Sequence, residues 1–405
     1  MDKEYLLNTS KVFCLAPWTH IHTTPIGTAY PCCIAKHSVG NSLNNSLADI
    51  VNSPDMKQLR VDMLNDVANP TCDTCHLHQQ KGIRSSRDDY LRKYRKDFDE
   101  LISNTKEDGH LENFKMRYFD IRFNNICNFK CRTCNAAFSS QWEQEDLKRK
   151  LPYARIYPKN NAPGLINEIV EHIPHMEHAY FAGGEPLITE EHYVMLEEMI
   201  RQNRTDIILS YNTNLSNLKF KNKDIIDLWS KFKNPIEIWA SVDHYGARAE
   251  YIRHGTDWAD IETNLVKVKN IPNIRLSLNT VVSIFNYVTL NEFYTYLIDK
   301  QIYLPIGPTF GAYSMSSPEH ITAQALTGPL KQLGRSNMEG LLSYMEQKGF
   351  VPHKIDTLKN TVNWVESSDV WDTLKSIFQQ EVRELDAIRG EEFVKVFPEL
   401  ASLMD

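Results

Sequence analysis

The sequence has no cysteine after position 134, and all eight of its cysteines lie between positions 14 and 134. A disulfide framework would extend over the fold it stabilises, and a chain of 405 residues can bury a large core without one. A long apolar run and a charged-then-apolar N-terminal stretch are also missing, which argues against a membrane span and a secretory signal. We therefore expect a cytoplasmic, reducing environment, in which clustered cysteines bind metal or carry out redox chemistry.

An excess of positive charge is missing as well. The formal net charge is -7 and the pI is near 6.1. Binding to the phosphates of a nucleic acid needs clustered Lys and Arg, so the composition argues against a nucleic-acid partner and against RNA modification. Repeats and low-complexity tracts are absent too, and the length predicts one large domain or two unequal ones.

Three cysteines stand close together after a strand-like run. Cys127, Cys131 and Cys134 are separated by three and then two residues. Alternation over Met116–Phe123 predicts a strand before them, and the run from Asn135 to Lys150 is compatible with a helix. The thiols therefore lie on a loop at a strand end, where α/β enzymes usually keep their chemistry. Three thiolates would leave one iron of a four-iron cubane cluster open to a ligand other than protein.

Four of the five N-terminal cysteines form two pairs, Cys14 with Cys32 and Cys72 with Cys75. A turn at Pro25-Ile26-Gly27 predicts a β-hairpin that brings Cys14 and Cys32 together. The two-residue gap between Cys72 and Cys75 lets both sulfurs reach one metal centre. Spacing alone does not separate Zn²⁺ from an iron–sulfur cluster, because both accept four thiolates.

Neighbouring residues have simpler predicted roles. His76 and His78 could serve zinc, but we interpret them as surface histidines. Cys33 belongs to neither pair, and we expect it to pack as a small, buried hydrophobic residue. The charged stretch from Gln79 to Gly109 predicts an exposed helix and linker.

The rest of the chain predicts an α/β fold, in which strands and helices alternate as in a parallel sheet with helical crossovers. Six β/α units favour a partial (β/α)6 TIM-like barrel over 111–312. A small N-terminal Cys-rich module with a linker is predicted over 1–110, and a helical C-terminal extension over 313–405. The predicted strands are Met116–Phe123, His178–Phe181, Ile207–Tyr211, Ile236–Val242, Ile274–Val282 and Tyr303–Thr309. The predicted helices are Pro54–Leu64, Glu190–Gln202, Lys223–Lys231, Trp258–Lys269, Leu290–Lys300, Met338–Gln347, Trp371–Ile377 and Phe378–Ile388.

Polar groups follow the predicted strands at the end where a barrel has its mouth. Two glycines let backbone approach a ligand closely, a carboxylate suits an ammonium group, and an arginine suits a carboxylate. The residues concerned, besides the three cysteines, are Gly183, Gly184, Glu185, Pro186, Asn212, Ser241, Asp243 and Arg253.

The three-cysteine motif followed by Gly183-Gly184-Glu185-Pro186 resembles the radical S-adenosylmethionine (SAM) enzymes. The resemblance implies that the three cysteines hold a 4Fe–4S cluster, whose open iron chelates the amino and carboxylate groups of SAM. It implies that the Gly-Gly-Glu-Pro loop contacts the SAM amino group. The stretch from Ser241 to Asp243, with Arg253, is similar to the segment that meets the ribose and carboxylate.

One position departs from this family. The residue before the third cysteine is commonly aromatic there and packs on adenine, whereas this chain has Thr133. Adenine packing must therefore come from another residue, and we assign it to Phe129.

The N-terminal cysteines resemble the auxiliary-cluster motifs of the SPASM/Twitch subfamily, through Cys14, Gly27, Cys32 and the Cys72/Cys75 pair. This likeness favours an auxiliary 4Fe–4S cluster over zinc. The four cysteines can ligate a single cluster, as in Twitch. The module usually follows the barrel in that subfamily, whereas it precedes the barrel here.

The resemblance implies an oxidoreductase-type enzyme that cleaves SAM reductively and abstracts a hydrogen atom from a peptide or small-metabolite substrate. The auxiliary cluster would assist an oxidation or a crosslink, and a flavodoxin or ferredoxin would supply electrons. The rival hypothesis is a non-enzymatic zinc protein, in which Cys14, Cys32, Cys72 and Cys75 form a structural zinc site.

Overall fold

The structure is a computed structural model and describes residues 2–80, 84–157, 164–307, 310–315 and 317–405. The chain forms two compact units. One unit contains Met1–Ile126, Arg155–Ser210 and Ile226–Pro235. The other contains Cys127–Ala154, Tyr211–Ile225 and Ile236–Asp405. The module boundaries expected from the sequence, near residues 110 and 312, stay a prediction.

The first unit is built on a mixed sheet. Its strands lie in the order Gly40–Asn41, Thr28–Tyr30, His20–Thr23, Tyr118–Ile121 and His178–Phe181. The pairs on the N-terminal side are antiparallel, which confirms the predicted hairpin. His20–Thr23 then pairs in parallel with Tyr118–Ile121, which pairs in parallel with His178–Phe181. The Cys-rich segment therefore adds its own strand to the parallel part of the sheet.

The second unit is built on parallel strands. Ile236–Ser241 pairs with Ile274–Val282, which pairs with Phe310–Ser314. Helices connect them, as right-handed crossovers between parallel strands require. The strand Ile208–Thr213 begins in the first unit and ends in the second.

The predicted α/β class is confirmed, and observed strands overlap five of the six predicted core strands. His178–Phe181 and Ile274–Val282 have the predicted bounds. The last strand was wrongly placed: residues 303–307 lie outside any strand, and the strand is Phe310–Ser314. The prediction also included Pro308 and Thr309, which lie outside the described residues. Proline has no N–H for the ladder, so Pro305 argues against a strand across this stretch.

Helices cover the sheet of each unit. In the first unit they are Lys3–Asn8, Ala16–Thr19, Leu47–Val51, Pro54–Leu64, Asp73–Gln80, Ser86–Tyr94, Phe98–Ser103, Leu165–His172 and Glu190–Arg201. In the second they are Ser140–Arg149, Gly246–Ile252, Trp258–Lys269, Leu290–Asp299, Gly328–Gln347, Pro352–Glu366, Trp371–Arg389 and Phe393–Val396. The short helix Ile225–Trp229 is where Lys223–Lys231 was predicted, and Lys223–Asp224 pairs instead with Lys219–Phe220.

The helical C-terminal extension is confirmed, with one correction. The sequence predicted two helices, Trp371–Ile377 and Phe378–Ile388, but they are one helix, Trp371–Arg389. Its buried residues are Trp371, Leu374, Phe378, Val382 and Leu385, which form one stripe at helical spacing. The helix ends at Gly390, whose φ of 67° gives the left-handed cap that glycine favours.

The charged stretch from Gln79 to Gly109 is less exposed than predicted. Tyr90 and Tyr94 lie on the helix Ser86–Tyr94 and are 8% and 1% exposed. Arg87 on the same helix is also buried, at 7% exposed, whereas Asp89 and Arg92 are exposed. None of the described helices is both long enough and apolar enough to cross a membrane.

Candidate functional site

The four N-terminal cysteines converge on one cavity of the first unit. Cys14 lies just before the helix Ala16–Thr19, and Cys32 follows the hairpin strand Thr28–Tyr30. Cys72 ends a 3-10 turn, and Cys75 lies on the helix that begins at Asp73. All four line the same largely apolar cavity. All eight cysteines of the chain are described, and none of them forms a disulfide.

Electrostatics shows that these thiols are close enough to influence one another. Burial raises the pKa of Cys14, and the charges of Cys72 and Cys75 raise that pKa further. Burial and the charge of Cys75 raise the pKa of Cys72 to about 12. Arg87, 7% exposed, acts in the opposite direction on Cys14 and Cys75. Four thiolates in this cavity would need more positive charge than Arg87 supplies. A metal centre would provide that additional charge.

His76 lies at this cavity, which corrects its prediction as a surface residue. It lines the cavity beside the four cysteines. Its Nε2 atom is buried and has no hydrogen-bond partner among the described residues. The position of His76 directly after Cys75, on the same helix, could have predicted that it lies at the cavity.

Cys33 also corrects a prediction. The sequence analysis expected a small buried hydrophobe, but the residue is exposed. It lies in a turn after the strand Thr28–Tyr30, and it is absent from the lining of the four-cysteine cavity.

The second cysteine cluster, Cys127, Cys131 and Cys134, lies on a loop of the second unit. Two backbone hydrogen bonds hold the loop: the Lys130 N–H donates to His254 O at 2.9 Å, and the Arg132 N–H donates to Ile252 O at 2.8 Å. The helix Ser140–Arg149 follows the loop, as predicted, and begins at the N-cap Ser139. Burial raises the pKa of Cys134 to about 12, and the negative charge of Cys131 contributes to the same rise.

Hydrogen bonds to sulfur occur in both clusters. The Phe129 N–H donates to Cys127 Sγ at 3.4 Å, and the Ala16 N–H donates to Cys14 Sγ at 3.4 Å. Arg253 Nη1 lies 3.8 Å from Cys131 Sγ. Such donors favour the thiolate over the thiol, and a thiolate is the form that binds metal. Both sets of cysteines are therefore chemically suited to ligate iron–sulfur clusters.

Arg253 is fixed by Asp243, which is fully buried. Arg253 Nε lies 2.8 Å from Asp243 Oδ2, and Nη2 donates to Oδ1 at 3.1 Å. Asp243 Oδ1 also accepts the Val281 N–H at 2.8 Å. Asp243 therefore orients Arg253 toward Cys131. Its Oδ1 accepts both hydrogen bonds, whereas the buried Oδ2 has no hydrogen-bond partner among the described residues.

An amide network also supports the three-cysteine loop. Asn214 Nδ2 donates to Asn128 Oδ1 at 3.0 Å, and Asn128 Nδ2 donates to Ser216 Oγ at 2.9 Å. Gly255 has a φ of +108°, and a Cβ on it would lie 2.9 Å from Asn128 O. Sequence reasoning missed Asn128 and Gly255, although both lie beside predicted site residues.

The Gly-Gly-Glu-Pro loop belongs to the first unit. The Glu185 N–H donates to Ile126 O at 2.8 Å, so the loop is bonded to the residue that precedes Cys127 in the sequence. Gly184 has a φ of +44°, and a Cβ there would lie 2.3 Å from Ile126 O. Glu185 is 1% exposed, and its Oε1 accepts the Leu187 N–H at 3.0 Å. Pro186 begins the following 3-10 turn.

The remaining predicted cofactor contacts stay predictions. Phe129 is 2% exposed, so little of its ring is left for an adenine. Asn212 lies on the strand Ile208–Thr213 and Ser241 ends the strand Ile236–Ser241, both partly exposed. The described residues contain no group of three or more His, Cys, Asp or Glu side chains arranged to hold a single metal ion.

Comparison with protein families matches the segment that contains the four N-terminal cysteines. Residues 14–76 match SPASM, an iron-sulfur cluster-binding domain. The matched segment contains Cys14, Cys32, Cys72 and Cys75. A comparison with the sequences of curated proteins finds no match.

Several solved structures are similar to the chain. Native anSMEcpe with bound AdoMet and Cp18Cys peptide is 15% identical, with a TM-score of 0.38, over 56% of this chain and 59% of that one. Streptococcus suis SuiB bound to S-adenosylmethionine is 14% identical, with a TM-score of 0.33, over 81% and 67%. TYW1 with a lysine-pyruvate adduct is 11% identical, with a TM-score of 0.29, over 57% and 71%. The chain spans 59% of the length of the first of these.

Proposed function

We propose that the protein is a radical SAM enzyme with one auxiliary 4Fe–4S cluster of the Twitch type. The observation that carries the proposal is the pair of cysteine clusters with N–H donors on their sulfurs, one of three thiols and one of four. Four thiolates close a cluster, whereas three leave an iron open. The SPASM match over residues 14–76 supports iron–sulfur ligation by the four-cysteine set.

The residue roles follow from this assignment. Cys127, Cys131 and Cys134 hold the cluster that binds SAM, and Cys14, Cys32, Cys72 and Cys75 hold the auxiliary cluster. When bound, the first cluster supplies the electron that splits SAM into methionine and a 5′-deoxyadenosyl radical, which abstracts a hydrogen atom. The chain's own residues orient the ligands and exclude water.

The roles of the polar residues are part of the same proposal. Gly183 and Gly184 keep the backbone close to the SAM amino group, and Glu185 supplies its carboxylate. Arg253, oriented by Asp243, places positive charge beside Cys131. A positive charge at that sulfur stabilises the reduced, more negative cluster.

The substrate is a peptide or a small metabolite, and the net reaction is an oxidation or a crosslink. The auxiliary cluster held by Cys14, Cys32, Cys72 and Cys75 would serve as electron acceptor for the substrate radical, and a flavodoxin or ferredoxin in the cytoplasm would supply electrons to the cluster held by Cys127, Cys131 and Cys134. These finer assignments follow from the family resemblance of the motifs.

Metal analysis tests the proposal first. The protein purified anaerobically is expected to contain about eight irons and matching sulfide, since each of two cubane clusters holds four. With dithionite and SAM it is expected to release 5′-deoxyadenosine. Cys127→Ala is expected to abolish this release. Stoichiometric zinc without sulfide would instead support the structural zinc protein.

The auxiliary cluster is tested separately. Replacing Cys72 and Cys75 by Ala should remove its spectroscopic signal but leave SAM cleavage intact. Product formation is expected to stop, because the substrate radical loses its electron acceptor. Unchanged product with the auxiliary signal gone would contradict the electron-transfer role.

A further inference from the structure

A second cavity lies in the first unit, and neither cysteine cluster accounts for it. We call it the Cys33 cavity; its volume is about 460 Å³. One wall is the helix Ser86–Tyr94, the other contains Tyr118 and His178, and Cys33 is part of its lining. It shares Ser86 and Tyr90 with the four-cysteine cavity, so these two residues form a common wall.

The strand side of this cavity is an uncharged row of rings. His20, Tyr118 and His178 are direct neighbours on three parallel strands. Their rings stack, with centroids 4.6 Å apart for His20 and Tyr118 and 4.9 Å apart for Tyr118 and His178. Burial lowers the pKa of His20 to about 4 and that of His178 to about 3, so both rings are neutral near pH 7.

The helix side carries the charge. Lys93 Nζ lies 5.4 Å from the centre of the Tyr118 ring and 5.2 Å from that of Tyr94. The lining contains two cations, Lys93 and Arg92, and one carboxylate, Asp89. Arg92 and Asp89 lie 3.1 Å apart, and the lining contains one more cation than carboxylates, with Lys93 beside the Tyr118 ring.

Tyr118 adds a neutral donor beside this cation. Burial and the nearby Asp120 raise the pKa of its hydroxyl, which therefore stays protonated. One ammonium and one phenol match a singly charged carboxylate, whereas a phosphate needs more cationic donors.

We propose that the Cys33 cavity binds the substrate by a carboxylate group, with the Lys93 ammonium and the Tyr118 hydroxyl as its partners. The claim that the bound molecule is the substrate rests on the proposed function. The claim that the cavity recognises a carboxylate is independent of it. The shared wall of Ser86 and Tyr90 places the bound group beside the auxiliary cysteines. Cys33, exposed in the lining, reports on the cavity.

Alkylation of Cys33 tests this with two matched probes. Iodoacetate and iodoacetamide both form a carbon–sulfur bond with the thiolate and release iodide, but only iodoacetate carries a carboxylate. In the cluster-loaded protein, we expect the rate at Cys33, followed by peptide mass spectrometry, to saturate with iodoacetate and to rise linearly with iodoacetamide. Acetate should compete with iodoacetate more strongly than inorganic phosphate does.

Variants separate recognition from reactivity. Lys93→Met should lower the iodoacetate-to-iodoacetamide rate ratio by about tenfold, as expected for the loss of one charge-assisted hydrogen bond. A change in thiol reactivity alters both rates and cancels in the ratio. Tyr118→Phe should lower the ratio by less, and Lys93→Arg should keep it. Lys96→Met, outside the cavity lining, is the matched control.

Some outcomes overturn the inference. They are an unchanged ratio in Lys93→Met, a ratio that falls equally in Lys96→Met, and a Cys33 that neither probe modifies. None of these measurements requires SAM cleavage. A protein that cleaves SAM but shows no carboxylate preference refutes this inference alone, and one with the preference but no cleavage refutes the proposed function alone.

Discussion

Arg132 and Glu391 form a buried ion pair in the second unit, with Arg132 Nη2 2.6 Å from Glu391 Oε2. Asp386 accepts from the same nitrogen at 2.7 Å, and the guanidinium lies 3.8 Å from the centre of the Tyr251 ring. Arg132 stands between Cys131 and Cys134 in the sequence. The C-terminal helix Trp371–Arg389 and the residues just after it therefore hold the three-cysteine loop in place.

Arg132→Gln should destabilise this loop. Removing the guanidinium takes the buried cationic partner away from Asp386 and Glu391, which are each 16% exposed, and should cost about 1–3 kcal/mol of unfolding free energy. Urea unfolding measures this loss, and iron analysis should show reduced occupancy of the three-cysteine cluster. The control is Arg335→Gln, which breaks a more exposed pair with Glu366 and should cost about 0–1 kcal/mol. Equal losses in the two variants would contradict a structural role for Arg132.

Gly184→Ala should be more harmful than an ordinary glycine substitution. The new Cβ would lie 2.3 Å from Ile126 O, at a φ of +44° that disfavours other residues. We expect a loss of about 1–3 kcal/mol of unfolding free energy and weaker SAM binding. Gly340→Ala, on a helix with open space around its Cβ, should instead stabilise the protein by about 0.5–1 kcal/mol. Thermal unfolding of both variants gives the comparison, and a stable Gly184→Ala would disprove the close approach.

Arg253→Gln should shift the reduction potential of the three-cysteine cluster to more negative values. The substitution removes a positive charge from beside Cys131, and that charge stabilises the reduced cluster. A redox titration followed by electron paramagnetic resonance measures the shift. Arg248→Gln is the control, because Arg248 pairs with Glu292 and Glu399 instead. A positive shift, or the same shift in the control, would refute the assigned role of Arg253.

Acid should destabilise the protein through buried histidines such as His192. Burial lowers the pKa of His192 to about 3, well below its value of about 6.5 in an unfolded chain. Between these values the unfolded chain binds a proton that the folded protein excludes. Stability is therefore complete above about pH 6.5 and falls toward pH 3, by about 1.4 kcal/mol per pH unit for this one group.

His192→Phe should make this pH dependence shallower by one proton. Chemical unfolding between pH 4 and 7 gives the slope, with His353→Asn at an exposed position as the control. An identical slope for the wild type and His192→Phe would mean that His192 is protonated in the folded protein.

Local patterns predicted the elements well. Alternation located the core strands, and helical spacing located Pro54–Leu64 and Trp258–Lys269 with the bounds observed. The failures have physical causes. The last strand is Phe310–Ser314, after Pro305, because proline has no N–H for a strand ladder. The two predicted C-terminal helices are the single helix Trp371–Arg389, along which one apolar stripe is continuous.

Sequence spacing predicted which cysteines belong together, but it did not predict what surrounds them. Cysteine spacing pointed to both clusters, because ligands close in sequence can reach one metal centre. It did not reveal that His76 lines the four-cysteine cavity or that Cys33 is exposed. Side-chain direction at a turn or on a short helix depends on what packs against it.

The sequence by itself determined the strands, the helices and the two sets of thiols, since each depends on residues near one another in the chain. Only the tertiary structure decided what surrounds those thiols. Arg132 meets Asp386 and Glu391 across 254 and 259 positions of sequence, and Lys93 meets Tyr118 through the packing of a helix on a sheet. Such contacts arise from the burial of whole elements, and no local pattern specifies which charges are brought together.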